Sequence, residues 1–306
     1  MIQVNNLCKS FDSYKALDNV NCEIPQGCIY GMVGSNGAGK STFLRALCGI
    51  YRPDKGEVLI DGKSVYENPE IKSKITFVPD DLFFINNASM KRMAKLYSSV
   101  YENFDYERFN YLAETFKLDS EKSLNNFSKG MRRQAAIILA VSTKPEYIFL
   151  DETFDGLDPV MRALVKSIIC KDVEERKSTA ILTSHSLREL EDTCDQLALL
   201  HKGGLIFEKD ITNLKTSLFK IQTAFIGDYT RDKFKELDIL HFSKQGSVAN
   251  LIVRGDREQV KEYIEEMKPA ILDILPLSLE EVFTYEMETL GYAFDLSALE
   301  KEVPIQ

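Results

Sequence analysis

A glycine-rich segment in the first part of the chain has the residue types and the spacing of a phosphate-binding loop. It fits the pattern G-x-x-x-x-G-K-[ST] and is followed by a threonine: Gly34, Ser35, Asn36, Gly37, Ala38, Gly39, Lys40, Ser41 and Thr42. Glycines let backbone amides turn towards phosphate oxygens, and a helix that begins here adds its N-terminal dipole. Lys40 would bring positive charge to the β and γ phosphates, and the Ser41 hydroxyl would ligate Mg²⁺.

Polar side chains also follow two later apolar runs. Asp151 and Glu152 follow the run Tyr147–Leu150, where Asp151 could hold Mg²⁺ through water and Glu152 could polarise the attacking water. Acidic pairs are common at strand ends, so an ordinary structural role is the alternative. His185 follows the run Thr179–Thr183, and its imidazole could hydrogen-bond the γ phosphate. A lone histidine more often has a structural role, but this position favours the catalytic one.

Strands and helices must position these residues. Over roughly the first 210 residues, short apolar runs alternate with amphipathic stretches, which is typical of an α/β fold with a largely parallel sheet. Candidate strands span Ile29–Val33, Tyr147–Leu150 and Thr179–Thr183, and a candidate helix spans Ser41–Cys48. Ligands of such open sheets bind beside the carboxyl ends of the strands, where the candidate residues lie.

A helical region is predicted between the first two of these strands. Asp105 is a candidate N-cap within it. Apolar residues recur at helical spacing on either side of Asp105, which indicates core packing: Met90, Met93, Ala94, Tyr97 and Tyr101, then Phe109, Leu112, Ala113 and Phe116. Capping boxes predict two further helix starts: Ser186 with Glu189, and Ser278 with Glu281.

The character of the sequence changes near residue 214, and the remainder indicates a small α+β domain. Its candidate elements follow the order strand, helix, strand, strand, helix, strand, which matches a ferredoxin-like unit: 219–225, 233–237, 239–242, 248–253, 258–267 and 271–275. We therefore predict two domains, 1–214 and 215–306.

Composition limits the possible classes. Hydrophobic residues make up 44% and charged residues 28% of the 306 residues, which is typical of a globular protein. The net charge of −9 means that a local site must meet any anionic ligand, and no nucleic-acid partner is expected. No apolar run approaches the roughly 20 residues of a membrane-spanning helix, and no secretory signal is evident. We expect a cytosolic protein with reduced cysteines and no zinc-type cluster, unless a partner holds it at a membrane.

With these residues in place, roughly residues 1–210 resemble the nucleotide-binding subunit of an ATP-binding cassette (ABC) transporter. The segment Asn126–Gln134 makes the resemblance specific, since it looks like the family signature L-S-G-G-Q in the form F-S-K-G-M. In that family the signature reaches across a head-to-tail dimer to the γ phosphate of the partner's ATP. The corresponding positions are Ser128, Lys129, Gly130 and Met131. Lys129 and Met131 depart from the strict signature, and an ordinary serine-capped helix start is the alternative.

The resemblance implies further roles. Phe11 matches an aromatic residue that stacks on adenine, although a core phenylalanine is nearly as good an interpretation. Asp158 matches the D-loop aspartate that helps to bridge two protomers. The family expects glutamine where this chain has Asp80, which can offer an oxygen to Mg²⁺ but is shorter, charged and without an amide donor. The implied fold is a P-loop NTPase: a RecA-like core with a helical subdomain at about 82–142.

The implied function is ATP hydrolysis coupled to transport. Two copies, or one copy and a similar subunit, would close around two Mg-ATP molecules and drive a separate membrane permease from the inner face of the cell membrane. A helical segment from about Leu82 to Lys117, including the apolar cluster Leu82–Ile85, would receive a coupling helix of that permease. A phenylalanine pair such as the one in this cluster is more often simply core.

Export is the expected direction of transport. The endings Leu277–Phe283 and Tyr285–Glu288 resemble ATPases of ABC-2-type exporters and of the YtrB-like branch. An importer remains an alternative, because the ATPase does not touch the cargo. A soluble ABC ATPase that acts on ribosomes or DNA without a permease is the competing class, and a P-loop kinase is a third.

Overall fold

The computed structural model describes residues 1–211 and 218–289 of the chain. The chain divides into two compact units, Met1–Lys209 and Asp210–Gln306, which are described separately. The domain boundary predicted near residue 214 lies outside the described residues. Across the two described stretches, no helix combines the length and the apolar composition that a membrane span requires.

Two β-sheets form the framework of the first unit. Its strands are β1 (Ile2–Phe11), β2 (Tyr14–Ile24), β3 (Ile29–Val33), β4 (Lys55–Ile60), β5 (Lys63–Ser64), β6 (Ile75–Val78), β7 (Tyr147–Leu150), β8 (Thr179–Ser184), β9 (Gln196–His201) and β10 (Gly204–Asp210). The antiparallel sheet has the order β2-β1-β4-β5, and the larger sheet has the order β10-β9-β3-β8-β7-β6. Within the larger sheet, β9, β3, β8, β7 and β6 pair in parallel.

The central strands of the larger sheet confirm the three predicted strands. Every residue of β3, β7 and β8 is buried, as expected for parallel strands that are covered on both faces. Val33 pairs with Ser184 and Leu150 pairs with Leu182, so the three strands end at one edge of the sheet. The predicted polar residues follow these strand ends.

Among its described residues, the first unit also contains seven α-helices. They are α1 (Lys40–Leu47), α2 (Pro69–Lys72), α3 (Met90–Val100), α4 (Tyr106–Thr115), α5 (Lys129–Ser142), α6 (Pro159–Arg176) and α7 (Leu187–Glu191), with a 3-10 helix at Leu124–Asn126. Of these, α2, α5, α6 and α7 pack against the larger sheet, and α3 and α4 pack against α5. Asp105 caps α4 as predicted, since its side chain accepts a hydrogen bond from the Arg108 amide (2.9 Å). The predicted core residues of α3 and α4 are buried, whereas Tyr97 and Tyr101 are only partly buried.

The apolar cluster Leu82–Ile85 was predicted to lie in a helix, and this is wrong. The cluster lies in the irregular segment before α3, which begins at Met90. Phe84 is buried, and Phe83 is 85% exposed. The pair is therefore divided between packing and solvent, with one ring in the core and the other exposed.

Helices begin at Leu187 and at Leu279, directly after the two predicted caps, but only one of the two capping boxes forms. The Ser278 hydroxyl accepts a hydrogen bond from the Glu281 amide (3.3 Å), and the Glu281 carboxylate accepts one from the Ser278 amide (2.9 Å). Within the described chain, the Ser186 side chain makes no capping bond to α7. The carboxylate of Glu189 accepts a hydrogen bond from the Ser184 hydroxyl (2.5 Å) instead, so it is occupied at the strand end.

The second unit is a four-stranded antiparallel sheet with helices. Its elements are β11 (Leu218–Ala224), a 3-10 helix (Arg231–Phe234), β12 (Asp238–Gln245), β13 (Val248–Arg254), α8 (Arg257–Glu266), β14 (Ile271–Pro276) and α9 (Leu279–Thr289). The strand order β12-β13-β11-β14, with every pair antiparallel, is that of a split βαββαβ unit. The 3-10 helix stands where an α-helix was predicted at 233–237.

Asp105 provides a test of helix capping in the first unit. We expect Asp105→Ala to lower the thermal midpoint by about 2–4 °C, since losing an N-cap costs about 1 kcal/mol. The Asp105 carboxylate also pairs with Lys144 (2.6 Å). Asp105→Asn is the matched control, because it keeps the capping oxygen and loses only the charge. Equal midpoints for the wild type and Asp105→Ala at pH 7 in a differential scanning measurement would contradict the assignment.

The same residue predicts a pH dependence. The Arg108 amide and the Lys144 ammonium hold the pKa of Asp105 below its ordinary value. The stability that the ionised carboxylate contributes is therefore present above its unfolded pKa and is lost as the pH falls through the folded one. The difference in midpoint between the wild type and Asp105→Ala should shrink below about pH 4.

Candidate active site

The phosphate loop connects the end of β3 to α1 and lines a cavity of about 340 Å³. Gly39 has a φ of 110°, and a Cβ at this position would lie 2.5 Å from the backbone oxygen of Ala16, so only glycine fits. The cavity is lined by Tyr14, Ala16, Asn36, Gly37, Ala38, Gly39, Lys40, Ser41, Thr42, Asp80 and Glu152. Seven predicted loop residues, 36–42, are thus brought together with two predicted carboxylates.

Lys40 carries the positive charge of this cavity. Its side chain is 5% exposed, and its Nζ donates to the backbone oxygens of Gly34 (2.6 Å) and Ser35 (3.3 Å). The same ammonium pairs with Glu152 Oε1 at 3.1 Å. A buried ammonium needs such partners to offset its lost hydration. The backbone carbonyl groups of Gly34 and Ser35 therefore accept hydrogen bonds from Lys40 and hold its ammonium in place.

Glu152 links the phosphate loop to the end of β8. It has a φ of 44°, which is uncommon for a residue other than glycine, and its amide donates to Thr183 Oγ1 (2.9 Å). That turn directs its carboxylate between two nitrogen atoms. Oε1 lies 3.1 Å from Lys40 Nζ, and Oε2 lies 3.0 Å from His185 Nδ1. The two predicted catalytic side chains, Glu152 and His185, are therefore in direct contact, with His185 55% exposed.

Asp151 is fully buried beside this pair. Its Oδ1 accepts a hydrogen bond from the Thr183 hydroxyl (2.7 Å). Its Oδ2 is buried without a hydrogen-bond partner among the described residues. A buried carboxylate oxygen in this state is costly unless a cation or a water satisfies it, so the residue fits the predicted role of a Mg²⁺ ligand.

The protein supplies few further ligands for a cation. The described residues hold no group of three His, Cys, Asp or Glu side chains placed to bind a metal. Ser41 and Asp80 line the cavity and could add one oxygen each. Mg²⁺ usually binds to one or two carboxylates together with substrate phosphates, and this donor set is consistent with that habit.

Asp80 is held by an arginine that the sequence analysis missed. Asp80 Oδ1 lies 2.7 Å from the guanidinium of Arg133, a residue of α5. Arg133 is 1% exposed, whereas the Asp80 side chain is 50% exposed. The signal was weak, because Arg133 stands in the charged run Arg132–Arg133 at the start of a helix, where arginines are usually solvated.

The signature residues lie at the start of α5 and outside the lining of the cavity. Ser128 is the N-cap of α5, and its hydroxyl accepts a hydrogen bond from the Met131 amide (3.2 Å). A Cβ at Gly130 would lie 2.6 Å from the backbone oxygen of Gly156, which requires glycine here. Within one chain the signature therefore contacts the segment after β7 and is not brought to the phosphate loop.

The D-loop segment lies against the signature. Lys129 Nζ pairs with Asp155 at 2.7 Å, and this hydrogen-bonded contact lowers the pKa of Asp155. Asp158 caps α6, since its Oδ1 accepts hydrogen bonds from the amides of Val160 (2.9 Å) and Met161 (3.0 Å). Its bridging role between protomers stays a prediction.

Phe11 and Tyr14 lie at the tip of the β1–β2 hairpin. Phe11 is 39% exposed, stacks edge-on against Tyr51 (5.2 Å between ring centroids) and is absent from the residues that line the cavity. Tyr14 lines the cavity, and its hydroxyl donates to the backbone oxygen of Gly37 (2.8 Å). Sequence analysis missed Tyr14, although it lies only three positions from Phe11 in the same hairpin.

Known proteins match most of the chain. The ABC transporter family matches residues 17–155. The ABC transporter ATP-binding protein YtrB of Bacillus subtilis is 31% identical over 92% of this chain and 97% of the relative. The bacitracin transport ATP-binding protein BcrA of Bacillus licheniformis is 32% identical over 70% of this chain and 71% of the relative. The daunorubicin/doxorubicin resistance ATP-binding protein DrrA of Streptomyces peucetius is 31% identical over 71% and 67%, respectively.

A solved structure supports the same fold. The dimeric, post-hydrolysis structure of the ATP-binding cassette MJ0796 bound to ADP and Pi superposes with a TM-score of 0.64. It is 22% identical and covers 69% of this chain and 99% of that cassette. The match with YtrB extends over nearly the full length of both proteins. The chain therefore belongs to the ATP-binding subunits of ABC transporters and is an ATPase with the P-loop NTPase fold.

Proposed function

We propose that the cavity beside the phosphate loop binds Mg-ATP and hydrolyses it with Glu152 as general base. The observation that carries this proposal is the position of the Glu152 carboxylate, between Lys40 Nζ (3.1 Å) and His185 Nδ1 (3.0 Å). A base must lie within hydrogen-bond reach of the water that it activates, next to the groups that hold the phosphate. The loop amides and Lys40 supply those groups.

Hydrolysis then needs one exchange of partners. Lys40 leaves Glu152 and binds the β and γ phosphates, which frees Glu152 Oε1 to accept a proton from water. The water oxygen bonds to the γ phosphorus as the bond to the bridging oxygen of ADP breaks, and the proton moves to Glu152. His185 stays on Oε2 and orients the carboxylate. When both of its ring nitrogens carry a proton, the second one would donate to the γ phosphate.

Asp151 and Ser41 would hold Mg²⁺, which neutralises the phosphate charge when it is bound. The buried and unpartnered Oδ2 of Asp151 supports this assignment. The Thr183 hydroxyl bonds both Asp151 Oδ1 and the Glu152 amide, so it fixes the two acidic residues relative to each other. Asp80 would add one further oxygen from the opposite segment.

A second subunit would complete the site. Ser128, Lys129, Gly130 and Met131 lie away from the phosphate loop of their own chain, so they are free to contact the nucleotide of a partner. Lys129 is 72% exposed and would exchange Asp155 for the γ phosphate of that nucleotide. The solved MJ0796 cassette is a dimer, which supports such an assembly. Either an identical chain or a similar ATPase subunit fits this role.

Closure of the dimer around ATP would drive a separate membrane permease, and we infer that this permease is an exporter. The relatives BcrA and DrrA are named for bacitracin transport and for daunorubicin/doxorubicin resistance, which supports export as the direction of transport. The chain would then act at the inner face of the cell membrane. Phe83, 85% exposed in the segment before α3, offers an apolar contact for the permease.

Glu152→Gln tests the general base. Glutamine keeps an acceptor oxygen of the same shape but cannot take the proton, so we expect turnover to fall by about 100-fold or more. ATP affinity should be retained. Phosphate release and nucleotide binding are measured in parallel, with Glu70→Gln at an exposed position of α2 as the matched control. Hydrolysis at the wild-type rate would remove Glu152 from the mechanism.

Lys40→Ala tests the phosphate loop. Losing a charge-assisted contact to the β and γ phosphates should weaken ATP binding by roughly 10- to 100-fold. Displacement of a fluorescent nucleotide measures this. Lys63→Ala removes the same charge from an exposed lysine outside the cavity and should leave the affinity unchanged. If Lys40→Ala bound ATP with the wild-type affinity, the phosphate loop would not be the nucleotide site.

The permease is tested by capture from native membranes. Immobilised Glu152→Gln protein with Mg-ATP should retain a multi-span membrane protein from detergent extracts, identified by mass spectrometry. Lys40→Ala protein under the same conditions is the control and should retain less, because it cannot reach the nucleotide-bound state. Recovery of ribosomal or DNA-associated proteins alone would favour the soluble ABC ATPase over the transporter subunit.

A further inference from the structure

Arg133 is a buried cation at the edge of the active site. Among the described residues it has the largest volume of the fully buried side chains, and it is 1% exposed. A guanidinium removed from water must be hydrogen-bonded and paired. Arg133 bonds three backbone oxygens, those of Pro79 (2.9 Å), Asp80 (3.1 Å) and Asp151 (3.2 Å). All of these acceptors belong to the segments that follow β6 and β7.

The fourth acceptor of Arg133 is the side chain of Asp80. Arg133 Nη2 donates to Asp80 Oδ1 (2.7 Å) and also to the backbone oxygen of the same residue. These two bonds fix the orientation of the aspartate. Among the described residues, Asp80 Oδ2 makes no hydrogen bond, and the side chain is 50% exposed where it lines the nucleotide cavity. Asp80 is therefore left with one available acceptor oxygen.

Arg133 also offsets negative charge at the site. Three carboxylates lie at one edge of the sheet, those of Asp80, Asp151 and Glu152, and ATP would bring more negative charge there. An unpaired third carboxylate there would repel the phosphates. Once it is paired with a guanidinium, an aspartate offers one acceptor oxygen and little net charge, which is also what the amide oxygen of a glutamine offers.

We propose that Arg133 is a positioning residue of the nucleotide site. It neutralises and orients Asp80 so that Asp80 Oδ2 coordinates the Mg²⁺ of bound ATP, directly or through a water. This inference rests on the proposed Mg-ATP site beside the phosphate loop. Arg133 also bonds the backbone of Asp151 and lies on α5, the helix that begins at the signature. It therefore connects the signature helix to the Asp80 carboxylate and to the backbone of Asp151, the two acidic residues that would hold the cation.

Asp80→Asn separates this role from a merely structural one. The asparagine oxygen can keep the bond to Arg133, which leaves the amide nitrogen, a donor, where Oδ2 was. The bond that holds residue 80 to Arg133 would be preserved, whereas the oxygen that coordinates Mg²⁺ would be lost. Displacement of a fluorescent nucleotide by ATP is measured with Mg²⁺ and again with EDTA. We expect Asp80→Asn to reduce the gain in affinity due to Mg²⁺ by about 10-fold, and the metal-free affinity to stay unchanged.

Arg133→Lys tests the positioning itself. Lysine keeps the charge but lacks the planar fork, so Asp80 loses its fixed orientation. The same Mg²⁺-dependent loss is expected, and the double variant Asp80→Asn with Arg133→Lys should be no weaker than the weaker single variant, because the two residues act as one unit. Thermal midpoints establish that each variant is folded. If Arg133→Lys does not fold, Asp80→Asn still tests the Mg²⁺ contact of Asp80 on which the role of Arg133 depends.

Three results would overturn the inference. The first is an unchanged Mg²⁺ effect in Asp80→Asn. The second is an equal loss of affinity with and without Mg²⁺, which would indicate collapse of the site. The third is a double variant whose loss equals the sum of the single losses. Failure of the proposed Mg-ATP site is distinguishable, since it would appear as metal-free affinity that Lys40→Ala does not lower.

Discussion

The parallel pairing of β3, β7 and β8 is the constraint on which the site depends. Because these strands run in the same direction and are hydrogen-bonded in register, the chain leaves all three at one edge of the sheet. The phosphate loop, the carboxylates Asp151 and Glu152, and His185 are the residues that follow. Side chains more than 100 residues apart in sequence therefore meet without long loops, as is general for open α/β sheets.

Charge pairing at this edge explains how a chain of net charge −9 can receive a nucleotide. Lys40 supplies the local positive charge, and Glu152 neutralises it in the absence of phosphate. Arg133 does the same for Asp80. Each buried cation thus has a carboxylate partner, and the anionic ligand replaces one of these partners. The cost of burying the ammonium is offset both before and after the ligand binds.

Local patterns made much of this predictable from the sequence. The phosphate loop and the apolar strand before Asp151 lie within short segments, so their geometry follows from neighbouring residues. Arg133 was not predictable, because its partners lie about 20 to 50 positions away and only the folded sheet brings them together. The capping box at Ser186 failed for a similar reason, since Glu189 was already bonded to the end of β8.

The most direct test of the account is an experimental structure of the Glu152→Gln protein with Mg-ATP. We predict that Lys40 Nζ will have left residue 152 and will contact the β and γ phosphates, with Asp151 and Ser41 on the Mg²⁺ side and a water held between residue 152 and the γ phosphorus. A nucleotide bound elsewhere, or one bound in the cavity while Lys40 still contacts residue 152, would contradict the account.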